Sequence, residues 1–243
     1  AREIELMREA GKRLAHVHQE LEAMIAPGIS TWEIDAKGEK LIRDCGCIPN
    51  FLHYNGYPAS ICVSVNDEVV HGIPRKDRYL KEGDIVSLDA GLIYKGYHSD
   101  AARTHAVGKV STEAQKLMDV TKQSFFEGIK MAKEGQHLHD ISRAIEEYVT
   151  PYGYGIVRDL VGHGIGTALH EDPQIPNYAQ KRRGVRLQAG MTLAIEPMIN
   201  AGTWQVRFLR DGWTVVTKDG SLSAHYENTI LVTDGEPEIL TLY

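Results

Sequence analysis

Two stretches decide the reading of this chain: Asp84-Ile-Val-Ser-Leu-Asp-Ala-Gly91, then Gly96-Tyr-His-Ser-Asp-Ala-Ala-Arg103. Both are short and rich in β-formers, and Tyr94-Lys95-Gly96 supplies a turn between them, so they read as a hairpin. A turn centred between Tyr94 and Lys95 sets Asp89 directly across from Asp100, with Cβ atoms roughly 4.5–5.5 Å apart on one face. A slip of one residue would send the two acids to opposite faces, so the inference depends on the register. Ile85, Val86, Leu88 and Ala90 make the first strand apolar. Two like charges facing each other in a buried strand pair are costly unless a cation lies between them.

Working outward, the segments on either side repeat. A shift of 107 residues sets Met24 on Met131, Gly28 on Gly135, Ile34 on Ile141, Ile42 on Val149 and Gly46 on Gly153. The same shift sets Gly83 on Gly190 and Asp89 on Glu196. Similarity between short amphipathic helices can be coincidence, but the matched acids argue against it. Further echoes join His71-Gly-Ile to His163-Gly-Ile, and His98-Ser-Asp100 to His225-Tyr-Glu227.

The helices themselves are read from period and caps. Ile4, Met7, Leu14, Val17, Leu21 and Ile25 form a helical stripe. Ser30 and Glu33 read as a capping box for a second helix, and Thr112 with Gln115 as one for a third. A fourth is expected from about Leu138 to Val149. Strands are expected over Asp84–Asp89, His98–Val107, Met191–Ile195 and Thr229–Val232. The expected architecture is α+β: one catalytic domain over 1–243, with pseudo-symmetric halves of about 1–110 and 111–243 enclosing a composite site.

Two more acids sit in strand contexts: Glu196 ends Leu193-Ala-Ile-Glu, and Glu227 precedes Ile230-Leu-Val232. Any one of the four could be an exposed edge carboxylate. All four together with the repeat read as a metal cluster. Gly162-His-Gly164 offers an imidazole between glycines, which let the backbone approach a crowded centre. An oxygen-rich set with one nitrogen favours Mn, Fe or Co over a structural zinc, which prefers thiolates.

Composition narrows the field. Apolar residues make up 42% and charged residues 25%, as in a soluble enzyme with a sizeable core. A net charge of −6 argues against DNA as a partner. No apolar run is long enough to span a bilayer, and the charged N-terminus does not read as a secretory signal. Cys45, Cys47 and Cys62 lack zinc-knuckle spacing and read as reduced thiols in a cytoplasmic protein. His16 and His18 lie among charged helix residues and read as solvated, as does the run Lys181-Arg-Arg183. His137 and His139 have no ligand partner in sequence.

Four blocks then occur in order: Val69-Val-His-Gly-Ile-Pro74, Leu160 through Glu171, Ala194-Ile-Glu-Pro-Met198, and Ser221-Leu-Ser-Ala-His-Tyr-Glu227. Together with the acids they resemble the type I methionine aminopeptidases over nearly the whole chain. The resemblance implies the pita-bread fold and removal of the initiator methionine where the second residue is small. It implies two divalent ions (Co, Mn, Fe or Zn): Asp89 on one, Asp100 and Glu227 bridging, His163 and Glu196 on the other. Glu196 would also be the general base, His170 would stabilise the tetrahedral intermediate, and His71 would contact the substrate amide. Phe51, Tyr54, Tyr57, Cys62, Leu169 and Trp213 would line the methionine pocket with His71 and His170. Relatives often carry Phe at the position of Leu169. A monovalent cation would sit at Asn66, Glu68 and Ser223, although relatives often have an apolar residue where this chain has Glu68.

The substrates would be nascent polypeptide N-termini at the ribosome, handled by a monomer. Only 33 residues separate His163 from Glu196, too few for the insertion of type II enzymes, so the chain resembles the minimal bacterial form. Aminopeptidase P and prolidase share the ligand pattern and are the nearest enzymatic alternative. A non-catalytic relative that binds partners or RNA is the alternative from another class.

Overall fold

The computed structural model describes residues 1–242. Four helices carry the expected stripes: α1 (Arg2–Ala23), α2 (Thr31–Asp44), α3 (Thr112–Ile129) and α4 (Leu138–Val149). The strands that shape the site are β1 (Ile61–Val65), β2 (Ile85–Tyr94) and β3 (Tyr97–Ala106) in the first half of the chain. In the second half they are β4 (Gly162–Gly164), β5 (Glu171–Ile175), β6 (Thr192–Ile195), β7 (Met198–Asn200), β8 (Ser223–His225) and β9 (Asn228–Leu231).

Ser30 and Glu33 form the expected box: Glu33 N–H donates to the serine hydroxyl, and Ser30 N–H donates to the glutamate. Such a cap contributes about 1 kcal/mol. The third helix is capped one residue earlier than expected, by Ser111, whose hydroxyl accepts from Ala114 N–H at 3.1 Å. Two adjacent hydroxyls compete there, and the extended φ/ψ falls on Ser111.

Each helix pair covers its own antiparallel sheet. Leu14, Val17, Leu21, Ile34 and Ile42 pack on Ile61, Val63, Val86 and Leu88. Leu117, Phe125, Ile141 and Ile145 pack on Leu193, Ile195 and Ile230. Each such side chain contributes about 1.5–3 kcal/mol on burial. His18 departs from the expectation of a solvated ring. It is buried on the face shared with Leu14 and Leu21, with Nε2 donating to the Ala101 carbonyl at 2.7 Å.

The 107-residue repeat is visible in the backbone. Gly28 and Gly135 have φ of 94° and 89°, and Gly83 and Gly190 have 95° and 98°. Gly28 N–H donates to Leu80 O, and Gly135 N–H to Leu187 O, a pair related by the same shift. The halves meet where Ala102 and Glu227 exchange backbone hydrogen bonds, at 3.1 and 3.0 Å. Asp89, Asp100, Glu196 and Glu227 lie close to that seam.

The β2–β3 hairpin forms with a different register from the expected one. Lys95 and Gly96 both have positive φ, 47° and 87°, which centres a two-residue turn one position later. Asp89 therefore faces Ala102, and Asp100 faces Gly91. A two-residue change keeps both acids on one face, but as diagonal neighbours about 7–8 Å apart. That wider spacing leaves room between them.

Candidate metal centre

Asp89 lies in the centre of β2 and Asp100 in β3, both buried. Glu196 follows β6, and Glu227 lies between β8 and β9 with no exposed surface. His163 stands in the middle of β4. Its flanking glycines are required by crowding: a Cβ at Gly162 would lie 2.4 Å from Ala194 O, and one at Gly164 2.3 Å from Asp172 O. Strands β5 and β6 thus flank the backbone of β4 that carries the imidazole.

The five side chains converge. His163 Nε2 lies 3.4 Å from Glu196, 3.5 Å from Asp100 and 4.0 Å from Glu227. His163 Nδ1 donates to the Gly164 carbonyl at 2.9 Å, so Nε2 faces the acids. Asp89 Oδ1, Asp100 Oδ1, His163 Nε2 and both Glu227 carboxylate oxygens are buried without a hydrogen-bond partner. Orphaned polar atoms in one place are costly and indicate a missing partner. Four acceptor-only carboxylates and an imidazole fit divalent cations. Ligand atoms of Asp89, Glu196, His225 and Glu227 lie within 4.8 Å of one another, as do those of Asp100, His163 and Glu227.

The electrostatics agree with that fit. Burial, then the charges of Asp100 and Glu196, push the Asp89 carboxyl well above its usual range. Burial, then Asp100, Glu196 and Asp89, do the same to Glu227. Burial opposes a charge on His163, but Asp100 and Glu196 outweigh it and raise its pKa to about 10. Burial alone would raise Glu196, yet hydrogen bonds from His163 and His225 hold it well below the carboxylate range.

Beside the acids lies a cavity of about 140 Å³. For scale, an engineered cavity of ~150 Å³ accepts benzene. All eight residues expected around the substrate line it: Phe51, Tyr54, Tyr57, Cys62, His71, Leu169, His170 and Trp213. Tyr57 meets Trp213 edge-on at 5.2 Å, and Leu169 is buried where relatives were expected to carry a larger ring. Cys62 pairs across the sheet with Asp89. Burial and that acid push its thiol well up, so it presents a neutral, polarisable wall. His71 sits at φ 61° with Trp213 edge-on at 6.5 Å, and burial lowers its pKa, favouring the neutral ring.

A family model described as metallopeptidase family M24 matches residues 5–234. The chain belongs to metallopeptidase family M24. It is 55% identical to a methionine aminopeptidase of Clostridium acetobutylicum over 240 residues, covering 99% of this chain and 96% of the relative. It is 52% identical to methionine aminopeptidase 1 of Bacillus subtilis, with the same coverage. The crystal structure of the Thermotoga maritima methionine aminopeptidase superposes with a TM-score of 0.98 at 47% identity. That match covers 100% of this chain and 98% of the other. The family and these relatives agree with the pita-bread fold expected from the sequence.

Three features of this M24 site were not read from the sequence. His225 is buried with Nε2 3.1 Å from Glu196 Oε2; the echo of His98-Ser-Asp100 was its only signal. Thr229 accepts from Asp100 N–H at 3.1 Å and donates to Asp100 O at 2.8 Å, which fixes that strand. Arg103 donates to Glu227 O, Asn228 Oδ1 and Thr241 O behind the centre. The expected monovalent-cation residues fall partly together. Ser223 N–H donates to Asn66 O at 3.0 Å, whereas the Glu68 carboxylate is committed to Val65 N–H and Arg78.

Proposed function

We propose that this chain removes the N-terminal methionine from peptides and nascent proteins whose second residue is small. The observation that carries this is the set of unpartnered acid and imidazole atoms beside a cavity walled by aromatic rings, a thiol and Leu169. The M24 membership and the methionine aminopeptidase relatives support it. We read residues 1–243 as one catalytic unit with halves of about 1–110 and 111–243.

Asp89, Asp100, His163, Glu196 and Glu227 would hold two divalent cations drawn from Co, Mn, Fe or Zn. Such ions, when bound, polarise a carbonyl and lower the pKa of water. Glu196, held ionised beside His225, takes the proton of the attacking water. His71 orients the substrate amide, and His170 donates to the oxygen on which charge develops. Phe51, Tyr57, Cys62, Leu169 and Trp213 hold the methionine side chain. Backbone carbonyls of Asn66, Glu68 and Ser223 would bind a monovalent cation.

We place the protein in the cytoplasm as a monomer acting on nascent chains at the ribosome. The free thiols Cys45, Cys47 and Cys62 suit that compartment. Among the described residues no helix is long and apolar enough to cross a membrane. The test is release of methionine from Met-Ala-Ser compared with cleavage of an Xaa-Pro dipeptide. Faster cleavage of the Xaa-Pro dipeptide would replace this reading with a prolidase.

A further inference from the structure

Two histidines face each other at the edge of the metal centre, His163 and His170, with ring centroids 4.3 Å apart. They are held through opposite surroundings. His163 Nδ1 donates to a backbone carbonyl, which fixes its proton on Nδ1 and leaves Nε2 as the ligand atom. His170 Nδ1 has no carbonyl partner; it lies 2.8 Å from the hydroxyl of Tyr54. That hydroxyl has no other hydrogen bond among the described residues. A phenol is a better donor than acceptor, because its ring withdraws the oxygen lone pair. His170 also lines the same cavity as Asp89, Asp100 and Glu196, and near such an acid-rich centre an N–H is favoured over a second lone pair.

The loop that presents Tyr54 is built for one conformation. His53 and Asn55, on either side, have φ of 66° and 49°, the left-handed region in which Asn and His are the non-glycine residues most often found. Backbone bonds from His53 N–H to Tyr57 O at 2.7 Å and from Tyr57 N–H to Tyr54 O at 2.9 Å close the turn. The two rings also pack, with centroids 5.3 Å apart.

We propose that Tyr54 is a positioning residue rather than an apolar wall: its hydroxyl donates to Nδ1 of His170 and holds that ring as the Nε2–H tautomer. Nε2 then points a donor at the substrate oxygen that gains charge. The neighbouring His163, held as the Nδ1–H tautomer, points a lone pair at the metal site. Two adjacent imidazoles thus take two different roles through their outer hydrogen bonds. This rests on the aminopeptidase reading for the role of His170, but the tautomer itself does not.

The test uses zinc-loaded protein labelled with [15N]histidine, in which long-range 15N–1H spectra distinguish the tautomers at each ring. Wild type should show His170 as Nε2–H and His163 as Nδ1–H. Tyr54→Phe keeps the ring packing and removes one oxygen. It should mix the His170 tautomers, leave His163 and zinc content unchanged, and lower kcat about two- to tenfold at constant KM. An Nδ1–H tautomer at His170 in wild type would overturn the proposal. So would a Tyr54→Phe protein with unchanged His170 signals and unchanged kcat. A protein that shows the expected tautomers yet fails to release methionine would refute the aminopeptidase reading and leave the tautomer assignment intact.

Discussion

Replacing Glu227 with Gln changes one buried oxygen to an amide and separates two states of the centre. In the metal-free protein, burial and the charges of Asp100, Glu196 and Asp89 push this carboxyl well above its usual range and favour its protonated form. Glutamine resembles that protonated acid in shape and charge, so metal-free stability should change by less than about 1 kcal/mol. With cations bound, the carboxylate is an anionic partner. Breaking one partner of a buried charge pair costs about 3–5 kcal/mol. Metal affinity should therefore fall by roughly two to nearly four orders of magnitude. The rise in Tm on adding metal should shrink with it. Titration with Mn(II) in metal-buffered solution, alongside melting curves with and without metal, reads both quantities. Wild-type affinity in Glu227→Gln would refute the ligand assignment, as would a metal-free Tm that falls as far as the metal-loaded one.

Gly164→Ala would place a Cβ 2.3 Å from Asp172 O and should cost about 1–3 kcal/mol. Its urea midpoint should fall and metal affinity should weaken as His163 is displaced; an unchanged midpoint would contradict the crowding argument. His105 gives a pH test. Burial, then Arg103 and Lys122, lower its pKa to about 4. The neutral ring is thus favoured in the fold, so its contribution is present above about pH 6.5 and is lost as pH falls toward 4. The loss is about 3 kcal/mol at most. His105→Gln should flatten metal-free stability between pH 6.5 and 4 relative to wild type, and parallel pH profiles would sink the assignment.

The helices were legible because their signals are local. A stripe at Leu14, Val17 and Leu21 fixes a buried face, and Ser30 with Glu33 closes a cap within four residues. The repeat was legible because backbone turns recur with the same glycines. The hairpin register was not, since Lys95 adopts positive φ without the Asn or Asp that commonly marks such a turn. His18 illustrates a misweighted signal: its spacing from Leu14 and Leu21 places it on the buried face, whatever its charged neighbours. The acids could be found because a carboxylate in an apolar strand is anomalous wherever it occurs. The bonds from Tyr54 to His170 and from His225 to Glu196 join residues 116 and 29 positions apart. The first depends on how the two halves dock and the second on how β7 pairs with β8, and no local pattern encodes either.

Methionine removal gated by the second residue is read out by kcat/KM for Met-Xaa-Ser peptides that differ only at Xaa. In the proposed assignment, the five ligands with His71 and His170 would all approach the scissile amide, leaving little volume for the next side chain. A clash there displaces the carbonyl, and lost alignment of about 1 Å can cost a hundredfold. A methylene's difference in an apolar pocket is worth only about 1–3 kcal/mol by comparison. Release of methionine should be rapid for Gly, Ala or Ser and slower by about a hundredfold or more for Leu, Lys or Arg. Comparable kcat/KM for Ala and Leu would contradict it, even in a protein that holds two metals and cleaves peptides well.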